Sequence, residues 1–103
     1  MTLGQKQRKF SLMVAKLITY IYESGYEVTF GDAYRDPRVP YGHDKSLHKK
    51  RLAIDLNLFK DGEYLTATSD HRQFGEFFEG IGGTWGGRFK DGNHYSLEHG
   101  GMK

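Results

Sequence analysis

The stretch 52–59 constrains the fold most, because aliphatic residues occupy every second position in it. Such alternation is typical of a β-strand that commits one face to a core. The aliphatic face contains Leu52, Ile54, Leu56 and Leu58, and the opposite face contains Ala53, Asp55, Asn57 and Phe59. The strand therefore holds the carboxylate of Asp55 on the face that points away from the core.

A histidine, His48, precedes this carboxylate by seven residues. Imidazole nitrogens and carboxylate oxygens are the usual zinc ligands where cysteine is absent, and the chain contains no cysteine. A solvated loop histidine and an aspartate on the wet face of an edge strand would give the same spacing. The pair is therefore a candidate for half of a metal site, with the structural alternative still open at this point.

Size and composition narrow the class of protein. The length of 103 residues predicts one domain, residues 1–103, with one modest core. A net charge of only +2 gives no argument for a nucleic-acid partner. The absence of cysteine excludes disulfides and thiolate metal sites. The basic N-terminus leads into an amphipathic segment, so we expect neither a signal peptide nor a stable association with a membrane.

The N-terminal half predicts a helix followed by a strand. Apolar residues recur at helical spacing over about 5–24, which indicates one buried helical face. Residues 26–30 alternate and are rich in β-formers, which predicts a strand. Arg35 follows this strand and can point into a cleft, although it can equally be a surface arginine paired with Asp32 or Asp36.

The C-terminal half predicts a short second helix and a last strand. Ser69 is a suitable N-cap for that helix, and the glycine-rich stretch 81–87 predicts an irregular loop. The tetrapeptide Phe-Lys-Asp-Gly occurs at 59–62 and again at 89–92, and both copies predict hairpin turns. The last strand is expected from Asn93 to about Leu97.

The second copy of this tetrapeptide brings further candidate groups. A hydrolytic zinc site requires three protein ligands, a base, and a group that stabilises an oxyanion. His48, Asp55 and His94 can supply the ligands. Asp91, three residues before His94, can act as a general base. Arg35 can bind the substrate carbonyl as negative charge develops on it.

Two motifs and a dipeptide resemble the M15 family of zinc peptidases, which cleave bonds of peptidoglycan that contain D-amino acids. The first family signature is Ser-x-His, four residues, and Ala-x-Asp, which stands here at 46–55. The second is Trp-Gly-Gly followed by a carboxylate three residues before a histidine, which stands at 85–94. The dipeptide Tyr34-Arg35 occupies the place of the family's substrate-polarising arginine. The chain looks most like the small phage endolysins of this family, which are L-alanyl-D-glutamate peptidases.

The resemblance implies an α+β fold of the Hedgehog/DD-peptidase-like type. In this fold a small, mainly antiparallel sheet carries the zinc site and packs with an N-terminal helix and a second short helix. One Zn²⁺ per chain is implied, with His48, Asp55 and His94 as ligands, Asp91 as the base and Arg35 as the oxyanion partner.

Three further residues of the motifs, Ser46, Tyr34 and Trp85, are expected to contact the substrate or to support the ligands. The ring of Trp85 fits either the core or the wall of a cleft. The chain also departs from the family at Arg51, where many members carry glycine, and at 95–96, where an aromatic-acidic pair is common.

The remaining histidines match no motif, and we expect His43, His71 and His99 to lie at the surface. His99 is the alternative third ligand if His94 has been assigned wrongly.

The expected function is that of a monomeric, zinc-dependent peptidoglycan peptidase that acts on the stem peptide as a phage endolysin. It would be made in the host cytoplasm and reach the cell wall with the help of a separate, holin-like permeabilising protein. A D-Ala-D-Ala carboxypeptidase or dipeptidase of the same family is the first alternative. A small metal-dependent nuclease, suggested by the basic run 45–51, and a non-catalytic wall-binding module are the others.

Overall fold

Two helices and a small antiparallel sheet share one core in the computed structural model, which describes residues 1–40 and 46–103. The strands pair in the order β1-β2-β5-β4, and β3 also pairs with β2, each pairing being antiparallel. The strands are β1 (Glu27–Phe30), β2 (Ala53–Lys60), β3 (Glu63–Leu65), β4 (Thr84–Trp85) and β5 (His94–Ser96). The predicted α+β class and its antiparallel sheet are confirmed.

The N-terminal helix α1 runs over Leu3–Glu23, close to the predicted bounds. It begins at a capping box, in which Thr2 accepts a hydrogen bond from the backbone of Gln5 and the Gln5 side chain accepts one from the backbone of Thr2. The helix ends before Gly25, whose positive φ of 88° suits glycine. Its buried face consists of Phe10, Met13, Val14, Leu17 and Ile21.

The second helix α2 covers Arg72–Gly80 and follows a 3₁₀ turn at Thr68–His71. The predicted N-cap at Ser69 is wrong, because Ser69 lies inside that turn. The carboxylate of Asp70 instead accepts a hydrogen bond from the backbone N–H of Ala67 at 3.1 Å. The helical segment therefore has Ala67 as its N-cap and begins at Thr68, two positions earlier than it would with Ser69 as the N-cap.

Strand β2 lies at the centre of the sheet, and one of its faces is buried, as the alternating pattern predicts. Leu52, just before the strand, and Ile54, Leu56 and Leu58 within it belong to the buried core together with residues from both helices. On its opposite face, Asp55 stands beside His94 of β5, and Phe59 stands beside Tyr64 of β3. One open face of the sheet therefore carries the polar and aromatic side chains of three strands.

The glycine-rich stretch 81–87 is more regular than expected, because it contributes β4 and the start of a 3₁₀ turn at Gly86–Phe89. The first Phe-Lys-Asp-Gly copy makes the predicted tight hairpin between β2 and β3. The second copy lies in the longer connection from β4 to β5, where Lys90 adopts the left-handed conformation with φ 64°. In the described part of the chain, neither helix is long and apolar enough to cross a membrane.

Candidate metal centre

Three candidate ligands from separate elements converge on the open face of the sheet. His48 lies in a 3₁₀ turn at Leu47–Lys50, Asp55 lies on β2, and His94 is the register partner of Asp55 on β5. Each offers one ligand atom, and these three atoms lie within 4.8 Å of one another. The pairing of β2 with β5 therefore brings together a His-Asp-His group, and these are the three residues that the sequence motifs predict as ligands.

Two backbone hydrogen bonds to the residues that follow β1 hold the backbone of Asp55 in β2. Its N–H donates to the carbonyl of Asp32 at 2.8 Å, and its C=O accepts from the N–H of Gly31 at 2.8 Å. A Cβ at Gly31 would lie only 3.1 Å from the Cβ of Asp55, so glycine permits this close approach. The carboxylate consequently projects from a backbone that has little freedom to move.

His48 is held with one ring nitrogen turned towards Asp55. Its Nδ1 lies 3.2 Å from the carbonyl oxygen of Ala33, an acceptor, so Nδ1 carries the proton of the neutral ring. Nε2 then presents its lone pair 3.4 Å from Asp55 Oδ1. The backbone N–H of His48 donates to Ser46 Oγ at 3.3 Å, so Ser46 caps the turn that carries this histidine.

The spacing of the three atoms fits a metal better than direct hydrogen bonds. Asp55 Oδ1 lies 3.4 Å from His48 Nε2 and 3.6 Å from His94 Nδ1. This oxygen is buried and, among the described residues, has no hydrogen-bond partner. Ligand atoms about 2.0–2.1 Å from a tetrahedral zinc are about 3.3 Å from each other. The donor set and the two short separations are therefore compatible with a site that could hold a metal ion.

Electrostatics keep the carboxylate ionised. Burial raises the pKa of Asp55, but the imidazoles of His48 and His94 outweigh it and bring that pKa down to about 2. Burial likewise lowers the pKa of His48, but the Asp55 carboxylate and the Ala33 carbonyl raise it above its ordinary value. The Asp55 carboxylate is thus ionised at neutral pH, and protons would compete with a metal for His48.

Asp91 lies at the solvent-facing rim of this group. Its side chain is 53% exposed, and its Oδ2 lies 3.9 Å from His94 Nδ1. The backbone N–H of His94 donates to the Asp91 carbonyl at 3.1 Å, and the N–H of Asp91 donates to the Gly86 carbonyl at 2.9 Å. A Cβ at Gly86 would lie 2.2 Å from that Asp91 carbonyl oxygen, so the compact turn requires glycine there.

Trp85 supports this turn from within the core. The side chain is only 2% exposed, and its Nε1–H donates to the carbonyl of Gly92 at 2.8 Å. Of the two positions expected for the ring, the structure shows the core and not the wall of a cleft. Trp85 therefore acts on the segment between Asp91 and His94 through the backbone.

Arg35 lies near the group, on the loop that follows β1. Its backbone N–H donates to the His48 carbonyl at 3.1 Å, and its Nη2 pairs with Asp32 Oδ2 at 2.8 Å. Its side chain is only 12% exposed. The guanidinium charge lies close enough to lower the pKa of His48, against the larger influence of Asp55. The sequence left open whether Arg35 pairs with an aspartate or points into a cleft. In the structure Arg35 pairs with Asp32 and also lies near the candidate ligand His48.

Tyr34 and Arg51 form a separate contact beside α1. The Arg51 guanidinium carbon lies 4.0 Å from the centre of the Tyr34 ring, and both residues line a pocket with α1 side chains. Arg51 has a positive φ of 57°, a conformation that glycine adopts at the lowest cost. This explains why glycine is common at the corresponding position of the resembling family, and why arginine there leaves the ligands in place.

The prediction that His71 lies at the surface is wrong. His71 is only 3% exposed, and its Nδ1 lies 2.8 Å from the hydroxyl of Tyr95. Burial lowers the pKa of His71 and raises that of Tyr95. Its spacing from Phe74 and Phe78, three and seven residues on, is the signal that could have placed it on the buried face of the helical segment.

His99 does not join the group formed by His48, Asp55 and His94. His99 is partly exposed, and its Nδ1 lies 3.4 Å from the ammonium nitrogen of Lys6. His43 lies outside the described residues.

Comparison with known proteins adds one finding. A family model described as D-alanyl-D-alanine carboxypeptidase matches residues 41–97, which is more than half of the chain. The matched segment contains all three candidate ligands and Asp91. No curated protein matches the sequence.

Proposed function

Since this chain belongs to the M15 family of peptidases, we propose that it is a zinc-dependent hydrolase of the L-alanyl-D-glutamate bond in the peptidoglycan stem peptide. Family membership makes it a metallopeptidase of the peptidoglycan-cleaving kind. The observation that carries the zinc proposal is the buried Asp55 Oδ1, which lies between two imidazole nitrogens at 3.4 and 3.6 Å. The likeness of the motifs to small endolysins supports the choice of bond.

The three ligands would hold the metal through His48 Nε2, Asp55 Oδ1 and His94 Nδ1. Bound there, zinc supplies Lewis acidity and lowers the pKa of a coordinated water towards about 7. The backbone bonds of Asp55 and the Ala33 contact of His48 hold two of the proposed ligands in this orientation.

Asp91 is the proposed proton carrier. It lies at the exposed rim, with Oδ2 3.9 Å from His94 Nδ1, so water and substrate can both reach it beside the ligands. Its carboxylate can accept a proton from the attacking water and deliver it to the leaving amine. An exposed carboxylate suits this role better than the buried Asp55, whose pKa of about 2 makes it a poor base.

Arg35 is the proposed partner of the substrate carbonyl oxygen. Its guanidinium is held by Asp32 at 2.8 Å and lies near His48. A fixed positive charge at that position stabilises the negative charge that develops on the oxygen during attack.

Hydrolysis of a terminal D-Ala-D-Ala bond is the second candidate, and the description of the matching family model favours it. Both reactions use the same ligands and base, and they differ in the fragment released. Cleavage after L-alanine creates a new amino terminus on D-glutamate, whereas carboxypeptidase activity releases free D-alanine.

For the biological role, we propose a monomeric endolysin that is made in the host cytoplasm and degrades the wall during phage-induced lysis. A separate holin-like protein would provide access to the wall. The support for this role is the motif likeness to phage enzymes.

The deciding experiment measures new amino groups released from purified peptidoglycan by untreated, chelator-treated and zinc-restored protein. We expect activity to disappear with chelator and return with zinc, and mass spectra of the fragments to show amino-terminal D-glutamate. Asp91→Asn should abolish release. The matched control is Asp61→Asn, which makes the same change in the other Phe-Lys-Asp-Gly copy and should leave the rate unchanged. If no amino groups appear although zinc binds, the proposal is wrong; free D-alanine alone would establish the second candidate.

A further inference from the structure

A polar pocket of about 230 Å³ lies on the open face of the sheet beside the proposed base. Asp91 forms part of its wall, and Asn57, Tyr64 and Lys90 contribute other parts. Asn57 is two residues beyond Asp55 on the same face of β2, which places it about 7 Å further along the strand. The pocket is therefore a direct extension of the metal centre away from the ligands.

Lys90 gives this pocket its positive charge. Among the described residues that line it, Lys90 is the one whose side chain is cationic at neutral pH, because burial lowers the pKa of the neighbouring His71. Lys90 is also held in the left-handed conformation, with φ 64°, which costs an ordinary residue about 1 kcal/mol or more. The exposed Lys90 thus lines the same pocket as Asp91, in a turn that would be easier to build with glycine.

The neutral groups of the pocket complement an anion. The Asn57 side chain receives a hydrogen bond from the Tyr64 hydroxyl at 3.4 Å on its Oδ1, and its Nδ2 donates to Thr29 Oγ1 at 3.3 Å. These bonds hold the Asn57 and Tyr64 side chains in place. Thr66 and Thr68 add hydroxyl donors to the lining. Because the Tyr64 hydroxyl and one Asn57 amide hydrogen already have partners, the hydroxyls of Thr66 and Thr68 are the neutral donors that can assist Lys90 in binding a charged oxygen group.

The role of Asp91 in the proposed reaction indicates which part of the substrate lies in this pocket. Under the proposed function, Asp91 delivers a proton to the leaving amine, so the residue that bears this amine must lie next to Asp91. In the stem peptide, D-glutamate is linked onward through its side chain and keeps a free α-carboxylate next to that amine. A terminal D-alanine also has its α-carboxylate at this position. Both candidate bonds thus bring an anion to within reach of Lys90.

We infer that Lys90 is a specificity-determining residue that binds the α-carboxylate of the residue on the leaving side of the scissile bond. This inference rests on the proposed function and names the substrate class of the same site: peptides whose leaving residue carries a free, unamidated α-carboxylate. Amidation of that carboxyl removes the charge but keeps the size, so it provides a direct test.

The test compares two L-alanyl-γ-D-glutamyl-L-lysine peptides, one with a free D-glutamate α-carboxyl and one with the α-carboxamide. The zinc-loaded protein should cleave the free acid with up to about fivefold higher kcat/KM, mainly through KM, as expected for one partly solvated charge pair. Lys90→Met should lose this preference by cleaving the free acid more slowly, whereas Lys90→Arg should keep it. Lys16→Met, an equal loss of charge on α1, is the matched control and should behave as the parent protein.

Two outcomes would overturn the inference while the proposed function stands: equal cleavage of both peptides by the parent protein, or an equal loss on both peptides in Lys90→Met. If neither the parent protein nor any variant cleaves either peptide, the proposed function fails. A binding measurement then tests separately whether the pocket is an anion site. Backbone amide shifts of residues 57 and 90 are then measured with γ-D-glutamyl-L-lysine and its α-carboxamide. Shifts with the acid alone that vanish in Lys90→Met support the anion site, and equal shifts or none refute it.

Discussion

Gly75 sits at the contact between α2 and the core, and its replacement by alanine should destabilise the protein. In an exposed helix this substitution adds stability, about 1 kcal/mol by helix propensity. Here an added Cβ would lie 2.0 Å from Cδ2 and 2.3 Å from Cγ of Trp85, whereas packed carbon atoms stay about 3.5–4.0 Å apart. The indole or the helix must therefore shift by about 1.5 Å.

The expected change in the free energy of unfolding is the cost of overpacking the core minus the gain in helix propensity. Overpacking a filled core costs about 1–3 kcal/mol and more where the neighbour cannot move, and Trp85 is 2% exposed with its N–H bonded to Gly92. Because the buried indole is held on both sides, we take the upper end of this range, about 3 kcal/mol, and subtract the helix gain of about 1 kcal/mol, which leaves an expected net loss of about 2 kcal/mol. For a domain of this size, that corresponds to a melting temperature lower by roughly 10 °C.

The assay is thermal and urea unfolding of chelator-treated protein, with Gly80→Ala as the matched control. Gly80 also lies on α2, but a Cβ there meets nothing within 4 Å among the described atoms. The control should therefore be neutral or gain up to about 1 kcal/mol. If Gly75→Ala is as stable as Gly80→Ala, the helix and the indole are not in the close contact that this reasoning requires.

Two further predictions concern the metal site and the buried histidine. Asp55→Asn removes the charged ligand, so its zinc affinity, measured by competition with a chromogenic chelator, should fall by at least about 100-fold; unchanged affinity would place the metal elsewhere. His71 has a lowered pKa because it is buried, so the unfolded state binds a proton at higher pH than the folded state does. Its contribution to stability is complete above the ordinary value of 6.5 and is lost as the pH falls from there towards the folded pKa. Urea unfolding of chelator-treated protein between pH 8 and 5 should therefore show a steeper loss in the parent than in His71→Gln, and parallel curves would contradict the assignment.

Short sequence patterns correctly predicted the buried face of a strand and the candidate metal ligands. The period of two in β2 correctly assigns the buried side chains of Leu52, Leu56 and Leu58, because alternation along a strand follows from backbone geometry alone. The motif spacing likewise singled out His48, Asp55 and His94, which the structure brings within 4.8 Å. In both cases the information lies within a few residues or in a family motif.

Contacts between segments that are distant in the sequence could not be predicted from such local patterns. The pairing of Asp55 with His94 depends on the register of β2 against β5, which no pattern within either strand specifies. The left-handed conformations of Arg51 and Lys90 were also unexpected, because neither residue type favours positive φ. Both conformations are imposed by surrounding structure and are found beside the candidate site.

The packing of the core and the geometry of the site form one connected structure. Gly75 allows Trp85 to approach α2 closely, and the indole N–H then fixes the Gly92 carbonyl. Gly92 lies between Asp91 and His94, so this bond sets the separation of the proposed base from a proposed ligand. A shift of the indole would therefore change the position of Asp91 relative to His94 without touching either side chain. Because positioning errors of about 1 Å can lower a catalysed rate by about 100-fold, buried substitutions near Trp85 should reduce activity more than their effect on stability alone would suggest.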